Sequence, residues 1–170
     1  MTAKILMALE DWYTPALGYY FPLKNAYPFK RWETDFYCNK QGVDYEFEVK
    51  ISRSDFMADF KKKDKHKAMI EPKGLCPHRF FYVCPKELIG KEEVPQYAGL
   101  IYYSDEYGLS KLRVVKRAPR IHSRLQGRTI KAGLCEKFFH YWNEEKRKAM
   151  HWKRKYDELL IKTGDRFTNH

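Results

Sequence analysis

Two stretches of this 170-residue chain carry side chains that could do chemistry together. In "VDYEFEVKISRSDF", Asp44, Glu46, Glu48 and Lys50 alternate with Val43, Tyr45, Phe47, Val49 and Ile51. Strand side chains point to opposite faces in turn, so the apolar set forms one face and the charged set the other. Just upstream, "KRWETDFYCNKQG" supplies Glu33 and Asp35 in a segment of strand composition that ends in a turn. A hairpin through "NKQG" sets Asp35 near Glu46 and Glu33 near Glu48, at cross-strand spacings of about 5 Å. Carboxylates this close repel one another, and a divalent cation reverses the penalty. Mg²⁺ suits such a place because it takes one or two carboxylates and keeps several waters, leaving room for phosphate oxygens. Lys50 points the same way as Glu48 and would steady charge developing on a phosphoryl group. The plainer reading of the same residues is a solvated outer face with alternating charge.

The positive charge is unevenly placed. Residues 1–110 hold 16 basic and 16 acidic side chains, whereas residues 111–170 hold 17 and 6, which accounts for the whole net charge of +11. Between Glu106 and Glu136 lie Lys111, Arg113, Lys116, Arg117, Arg120, Arg124, Arg128 and Lys131, with no acid among them. A charge run is usually a solvated face, but one so one-sided, beside a separate acidic cluster, favours a polyanion as partner.

The elements that must position these groups follow from periodicity. The length suits a single domain with a sizeable core, and 16% aromatic residues argues against disorder. No apolar run is long enough to cross a membrane. "MTAKILMALEDWYT" reads as an amphipathic first helix rather than a signal peptide, because acids follow the apolar run. Cys38, Cys76, Cys84 and Cys135 are scattered without a CxxC pair, which suits reduced thiols in a cytoplasmic protein better than zinc or disulfides. "PALGYYFPLKNAYPFK" reads as an ordered loop without a long regular element. After the hairpin, one helix runs from an N-cap at Ser52, with Asp55 in capping-box position. It turns Phe56, Met57, Phe60 and Met69 inward, and Lys61, Lys62, Lys63, Lys65 and Lys67 outward. "RFFYVC", "AGLIYYS" and "LSKLRVVK" read as strands, and residues 118–129 lack clear periodicity. From about Ile130 to Ile161 a helical repeat of Leu134, Phe138, Tyr141, Ala149, Trp152, Tyr156 and Leu159 returns, with Trp142 and Trp152 suited to a packed face. The sum is a mixed sheet covered by helices.

Asp35, then twelve intervening residues, then Glu48-Val49-Lys50, is similar to the D…(D/E)xK signature of the PD-(D/E)xK nucleases. The match extends through "KRWETDFYC", "EFEVKISRSDFMADFKKKDKHK", "RFFYVCP", "VPQYAGLIYY" and "VVKRAPRIH", and looks like the small phage and bacterial group that includes the MmcB-like DNA repair proteins. It spans about residues 30–122 and leaves the two terminal helices outside. The resemblance implies a restriction-endonuclease-like α/β fold, with a core over about residues 1–122 and a basic helical extension over about 130–163. It implies a Mg²⁺- or Mn²⁺-dependent nuclease acting on DNA in phage or bacterial DNA processing or repair, located in the cytoplasm. Asp35 and Glu48 become metal ligands together with the Val49 carbonyl, and Lys50 the catalytic lysine. Glu10 on the first helix and Glu33 are the auxiliary acids. Lys61, Lys62, Lys63, Lys116, Arg117, Arg120, Arg124 and Arg128 would hold the phosphate backbone. Thr34 stands where the signature has proline. Glu33 and Asp44 compete with the two ligands, since the hairpin register rests on the turn alone. Duplex cutters of this kind are often homodimers. The other function class compatible with these residues is a DNA-binding accessory protein that keeps the fold and cleaves little; a third, an RNA- or protein-binding basic module, is disfavoured by the lack of an RNP-type aromatic motif or a GXXG loop.

Overall fold

The hairpin turns on two residues rather than four. Gln41 and Gly42 have φ of 50° and 81°, the left-handed pair that a tight hairpin loop requires. Asn39 and Lys40 therefore belong to strand β2 (Thr34–Lys40) and pair with Asp44 and Val43 of β3 (Val43–Val49). The Asn39 side chain also accepts the Gly42 N–H at 3.1 Å. The expected register treated all of "NKQG" as loop and is two residues off. Tyr37 faces Glu46 and Phe36 faces Phe47, so the next step along the same register sets Asp35 opposite Glu48.

The computed structural model describes residues 1–13 and 17–167, with the side chains of 20–21, 127–129, 131–133, 136 and 163–167 outside the description. Helix α1 (Thr2–Trp12) is followed by β1 (Tyr20–Ala26), where sequence reasoning expected a loop. Pro22 sits where the β1–β2 register shifts, and β1 is an edge strand, the setting in which a strand tolerates proline. After β3 come α2 (Arg53–Asp59), α3 (Lys63–Ile70), β4 (Arg79–Pro85), β5 (Ala98–Tyr103), a 3₁₀ segment (Asp105–Ser110), β6 (Leu112–Lys116) and α4 (Gly127–Phe167). The six strands lie in sequence order in one sheet. The outer pairs β1–β2, β2–β3 and β5–β6 are antiparallel, while β3–β4 and β4–β5 are parallel.

Parallel pairing of β3 with β4 needs a crossover, and α2 with α3 provides it. The single helix expected here is two. Ser52 caps α2 by accepting the Asp55 N–H at 3.1 Å, as the capping box required. The chain then breaks over Phe60–Lys62 and restarts, which changes the helical phase. Phe56 and Met69 are buried as expected, but Met57 and Phe60 are exposed, and Lys65 is buried instead of facing out.

Both faces of the sheet are covered. Ile5, Ala8, Leu9 and Tyr13, on and just after α1, pack with Phe36, Phe47, Val49, Phe81, Val83 and Ile101. Phe56, Ala68 and Met69 of the crossover pack with Phe80, Tyr82 and Leu100 on the other side. The charged face of β3 lies under that crossover. Asp44, Glu46, Glu48 and Lys50 are 4%, 0%, 3% and 3% exposed, so the solvated-face reading does not hold.

The chain divides into one compact unit over Met1–Ala132 and a second beginning at Gly133. Along α4, Leu134 is buried, but Tyr141, Trp142, Trp152 and Tyr156 stand well exposed rather than on a packed face. Lys146 and Lys155 lie over the rings of Trp142 and Trp152. Among the described residues no helix is long and apolar enough to cross a membrane.

Candidate functional site

The β2–β3 ladder stops at the Phe36–Phe47 pair. One step beyond, the Asp35 side chain takes over as acceptor: the Val49 N–H donates to Asp35 Oδ2 at 2.7 Å. The next amide, that of Lys50, turns to β4 and donates to the Val83 carbonyl at 2.9 Å. Asp35, Glu48 and Lys50 thus meet where β3 parts from β2, on the face covered by α2 and α3.

Glu48 is surrounded by ammonium groups. Lys50 and Lys62 each donate to its Oε1 at 2.9 Å, and Lys65 donates to Oε2 at 2.6 Å. Lys65 also reaches Glu46 at 2.8 Å, and the Trp32 indole N–H donates to the same carboxylate at 3.0 Å. Asp59 closes the cluster from α2. It pairs with Lys50 at 3.1 Å and Lys62 at 3.0 Å, and accepts from the Tyr82 hydroxyl at 2.8 Å. His66 Nε2 lies 2.9 Å from the Asp59 carbonyl, while its other ring nitrogen meets the Tyr97 hydroxyl. Asp55 stands farther out, 3.7 Å from Lys50.

Burial and pairing compete at each group. Burial alone would raise the Glu48 carboxyl, but Lys65 and Lys50 outweigh it and hold Glu48 below its usual range. The same balance, with His66, Lys65 and Lys50 on the winning side, holds Asp59 well below normal. Burial would lower Lys50, yet Glu48 and Asp59 keep it above the ordinary lysine value. Asp35 goes the other way. Burial first, and the Glu48 charge second, push it up to about 6.

Sequence reasoning did not single out Asp59, Lys65, Tyr82 or Trp32 as members of the cluster. The signal for Asp59 was its i,i+4 spacing from Asp55, which sets both on one side of α2. The expected auxiliary acids lie elsewhere. Glu10 pairs with Lys24 at 2.9 Å, and Glu33 precedes β2 and accepts from the Tyr27 hydroxyl at 3.2 Å. Asp44, at the far end of β3, is held by Tyr37 at 2.5 Å and Asn39 at 2.8 Å. Of the expected phosphate contacts, Lys61, Lys63, Arg117, Arg120 and Arg124 are exposed. Arg124 donates to the Gly74 carbonyl at 3.0 Å and Arg120 to the His122 carbonyl at 3.0 Å. Lys116 differs from expectation: its ammonium is spent on the Val94 and Pro95 carbonyls at 3.1 Å each. Lys62 also differs, being drawn to Glu48 and Asp59. The side chain of Arg128 lies outside the described residues, as does that of Lys131.

Among the described residues no group of three or more His, Cys, Asp or Glu is arranged to hold a metal ion. Two carboxylates are as many as a Mg²⁺ ion takes from a protein. Asp35 and Glu48 face each other one step beyond the last ladder pair, and burial first and the Glu48 charge second make the ionised Asp35 carboxylate costly, a cost that a cation would relieve.

This cost is measurable. A carboxyl whose folded pKa exceeds its unfolded value holds its proton more tightly when folded. Its ionisation therefore reduces stability above the folded value, and the cost vanishes once both states are protonated. For a rise from 3.8 to about 6, Asp35→Asn in EDTA is expected to stabilise the protein by about 1–3 kcal/mol near pH 8. The gain should shrink as pH falls through about 6 and disappear near 4. Urea denaturation across this range checks it; a destabilised Asp35→Asn protein at pH 8 would refute the cost of ionising this buried carboxyl beside Glu48.

No protein-family model matches the chain. No curated protein matches it either. Its structure is similar to SPO1766, a protein of unknown function from Silicibacter pomeroyi, with a TM-score of 0.61 and 19% sequence identity, covering 88% of this chain and 92% of that one. Identity this low shows the fold alone: a mixed α/β arrangement with a six-stranded sheet, flanking helices and a long C-terminal helix.

Proposed function

We propose that this chain is a metal-dependent nuclease that hydrolyses phosphodiester bonds in DNA, on a restriction-endonuclease-like fold, in phage or bacterial DNA processing or repair. The observation that carries the reading is the meeting of Asp35, Glu48 and Lys50 at the end of the β2–β3 ladder, with the Lys50 ammonium 2.9 Å from Glu48. The two strands that carry the signature are antiparallel, and the sheet continues from β3 into parallel β4 and β5. This arrangement supports the finer fold assignment.

Asp35 and Glu48, with the Val49 carbonyl, would hold a Mg²⁺ or Mn²⁺ ion, which supplies Lewis-acid stabilisation of phosphoryl oxygens when bound. Lys50 keeps its proton at neutral pH because Glu48 and Asp59 flank it, and it directs N–H donors at charge developing on the phosphoryl group. Asp59 is fixed in turn by Tyr82 and His66, so the lysine is held in place before substrate arrives. Lys65, itself held by Glu46, which accepts from the Trp32 indole, fixes the second oxygen of Glu48. The exposed Arg117, Arg120 and Arg124 supply positive charge for the phosphate backbone without reading sequence.

A second reading, DNA binding with little cleavage, is favoured by one feature. Both Glu48 oxygens already contact ammonium groups, which compete with any cation. Incubation with labelled duplex, single-stranded, nicked and branched DNA separates the two. The nuclease reading expects products in Mg²⁺ or Mn²⁺ and none in EDTA. Retention of intact DNA by the protein in every metal condition would establish the binding-only role.

A further inference from the structure

Lys50 and Lys62 contact the same two carboxylate oxygens. Glu48 Oε1 lies 2.9 Å from both, and Asp59 Oδ1 lies 3.1 Å from Lys50 and 3.0 Å from Lys62. Their settings differ sharply: the Lys50 side chain is 4% exposed and that of Lys62 is 51% exposed. Lys50 is a fixed member of the cluster. Lys62 is an extra cation reaching in from the break between α2 and α3, and a half-exposed lysine pair is weak enough to be exchanged. With Lys50 on Oε1 and Lys65 on Oε2, Glu48 keeps its countercharge when Lys62 leaves.

There is a destination for the departing ammonium. A cleft of about 510 Å³ is lined by Arg31, Trp32, Lys61, Lys62, Lys63, Asp64 and Lys65. Five cations and one acid make it a site for an anion, and Lys62 lies between it and the acid cluster. Lys65 is committed to Glu46 and Glu48, so Arg31, Lys61, Lys62 and Lys63 are the groups able to meet a ligand.

We propose that this cleft binds a phosphodiester of the nucleic-acid backbone, and that Lys62 is a displaceable internal counter-ion coupling that event to the acid cluster. In the ligand-free protein Lys62 occupies Glu48 and Asp59. When a phosphate enters the cleft, the ammonium turns to it and gives up Glu48 Oε1, removing one of the two cations that repel a metal there. Substrate and metal then strengthen each other's binding, as linkage requires. A nuclease so built resists loading metal until nucleic acid is in place. This inference rests on the nuclease reading.

The test is calorimetric titration of Mn²⁺ into wild type, Lys62→Met and Lys62→Arg, with and without a phosphorothioate tetrathymidylate that resists hydrolysis. In wild type the oligonucleotide should tighten Mn²⁺ binding by about tenfold, within the usual range of coupling. Lys62→Met should bind Mn²⁺ alone about tenfold more tightly and lose most of that coupling. Lys62→Arg, which keeps the charge, should resemble wild type. Equal Mn²⁺ affinity in wild type and Lys62→Met would overturn the counter-ion role while leaving the metal site standing. Absence of Mn²⁺ binding in all three proteins would overturn the nuclease reading, and the coupling with it.

Discussion

Lys50→Met should lower single-turnover cleavage of DNA by at least about 100-fold, a barrier increase of about 2.7 kcal/mol or more. Methionine preserves most of the side chain's length and apolar packing and removes only the ammonium. The structure sharpens this expectation. Were Lys50 one partner of an exposed ion pair, its loss would cost at most about 1 kcal/mol and leave chemistry alone. Lys50 is instead buried between Glu48 and Asp59, so some stability is lost as well. Because Lys62 shares both oxygens, that loss should stay below the 3–5 kcal/mol or so typical of breaking a buried pair. Cleavage must therefore be measured where circular dichroism shows the variant folded, beside Mn²⁺ affinity and DNA affinity. The expected pattern is a collapse of turnover with both affinities retained. Cleavage within about fivefold of wild type, against a difference of two decades expected from a lost transition-state donor, would remove Lys50 from the mechanism. Glu48→Gln in the same assay should abolish cleavage, and its failure to do so would remove the metal site.

The largest effect on stability is expected from Lys65→Met. Lys65 is 2% exposed and is the only ammonium shown touching both Glu46 and Glu48, at 2.8 and 2.6 Å among the described residues. Burial already holds Glu46 above its usual pKa even with Lys65 in place. Without the lysine, Glu46 keeps only the Trp32 N–H among its polar contacts described above, and Glu48 loses the donor to Oε2. Leaving such charge uncompensated costs about 3–5 kcal/mol, a large share of a typical domain's 5–15 kcal/mol or so. The loss should be greatest at neutral and higher pH. Removing the cation raises the folded-state pKa of both carboxyls, so protonation on acidification restores part of the stability. Urea denaturation at about pH 5 and pH 8 reads this out. A loss below about 1 kcal/mol at pH 8 would mean that Lys65 contributes no more than a surface lysine.

Much of the site was legible before the fold was known. The alternation from Val43 to Val49 correctly separated an apolar face from a charged one, because period two is a local property of any extended chain, while Ile51 lies past the end of β3 and is exposed. The Ser52 cap and Asp55 were legible for the same reason: a cap involves residues three apart in sequence. Asp35, Glu48 and Lys50 were singled out as a set by the resemblance to the D…(D/E)xK signature, whereas the turn alone had paired Asp35 with Glu46; the observed register sets Asp35 toward Glu48 at one end of the hairpin.

The rest depended on contacts distant in sequence. Whether "NKQG" closes with two residues or four is decided by which register lets the strands bury their apolar faces, and only that choice set Asp35 against Glu48. Composition could not say whether the charged face of β3 meets water, since the answer lies in the crossover of α2 and α3 that covers it. Lys65 follows the same logic. In sequence it is one of five lysines within seven residues, and nothing local distinguishes it from Lys61 or Lys63. The break after α2 resets the helical phase and turns Lys65 toward two buried carboxylates, while Lys61 and Lys63 stay in solvent. The sequence by itself determined which chemical groups lie on each element and which neighbours share a face, because backbone geometry enforces both over a few residues. Tertiary structure alone decided which of those groups leave water and which charges then meet, because desolvation and pairing arise only when separate elements pack.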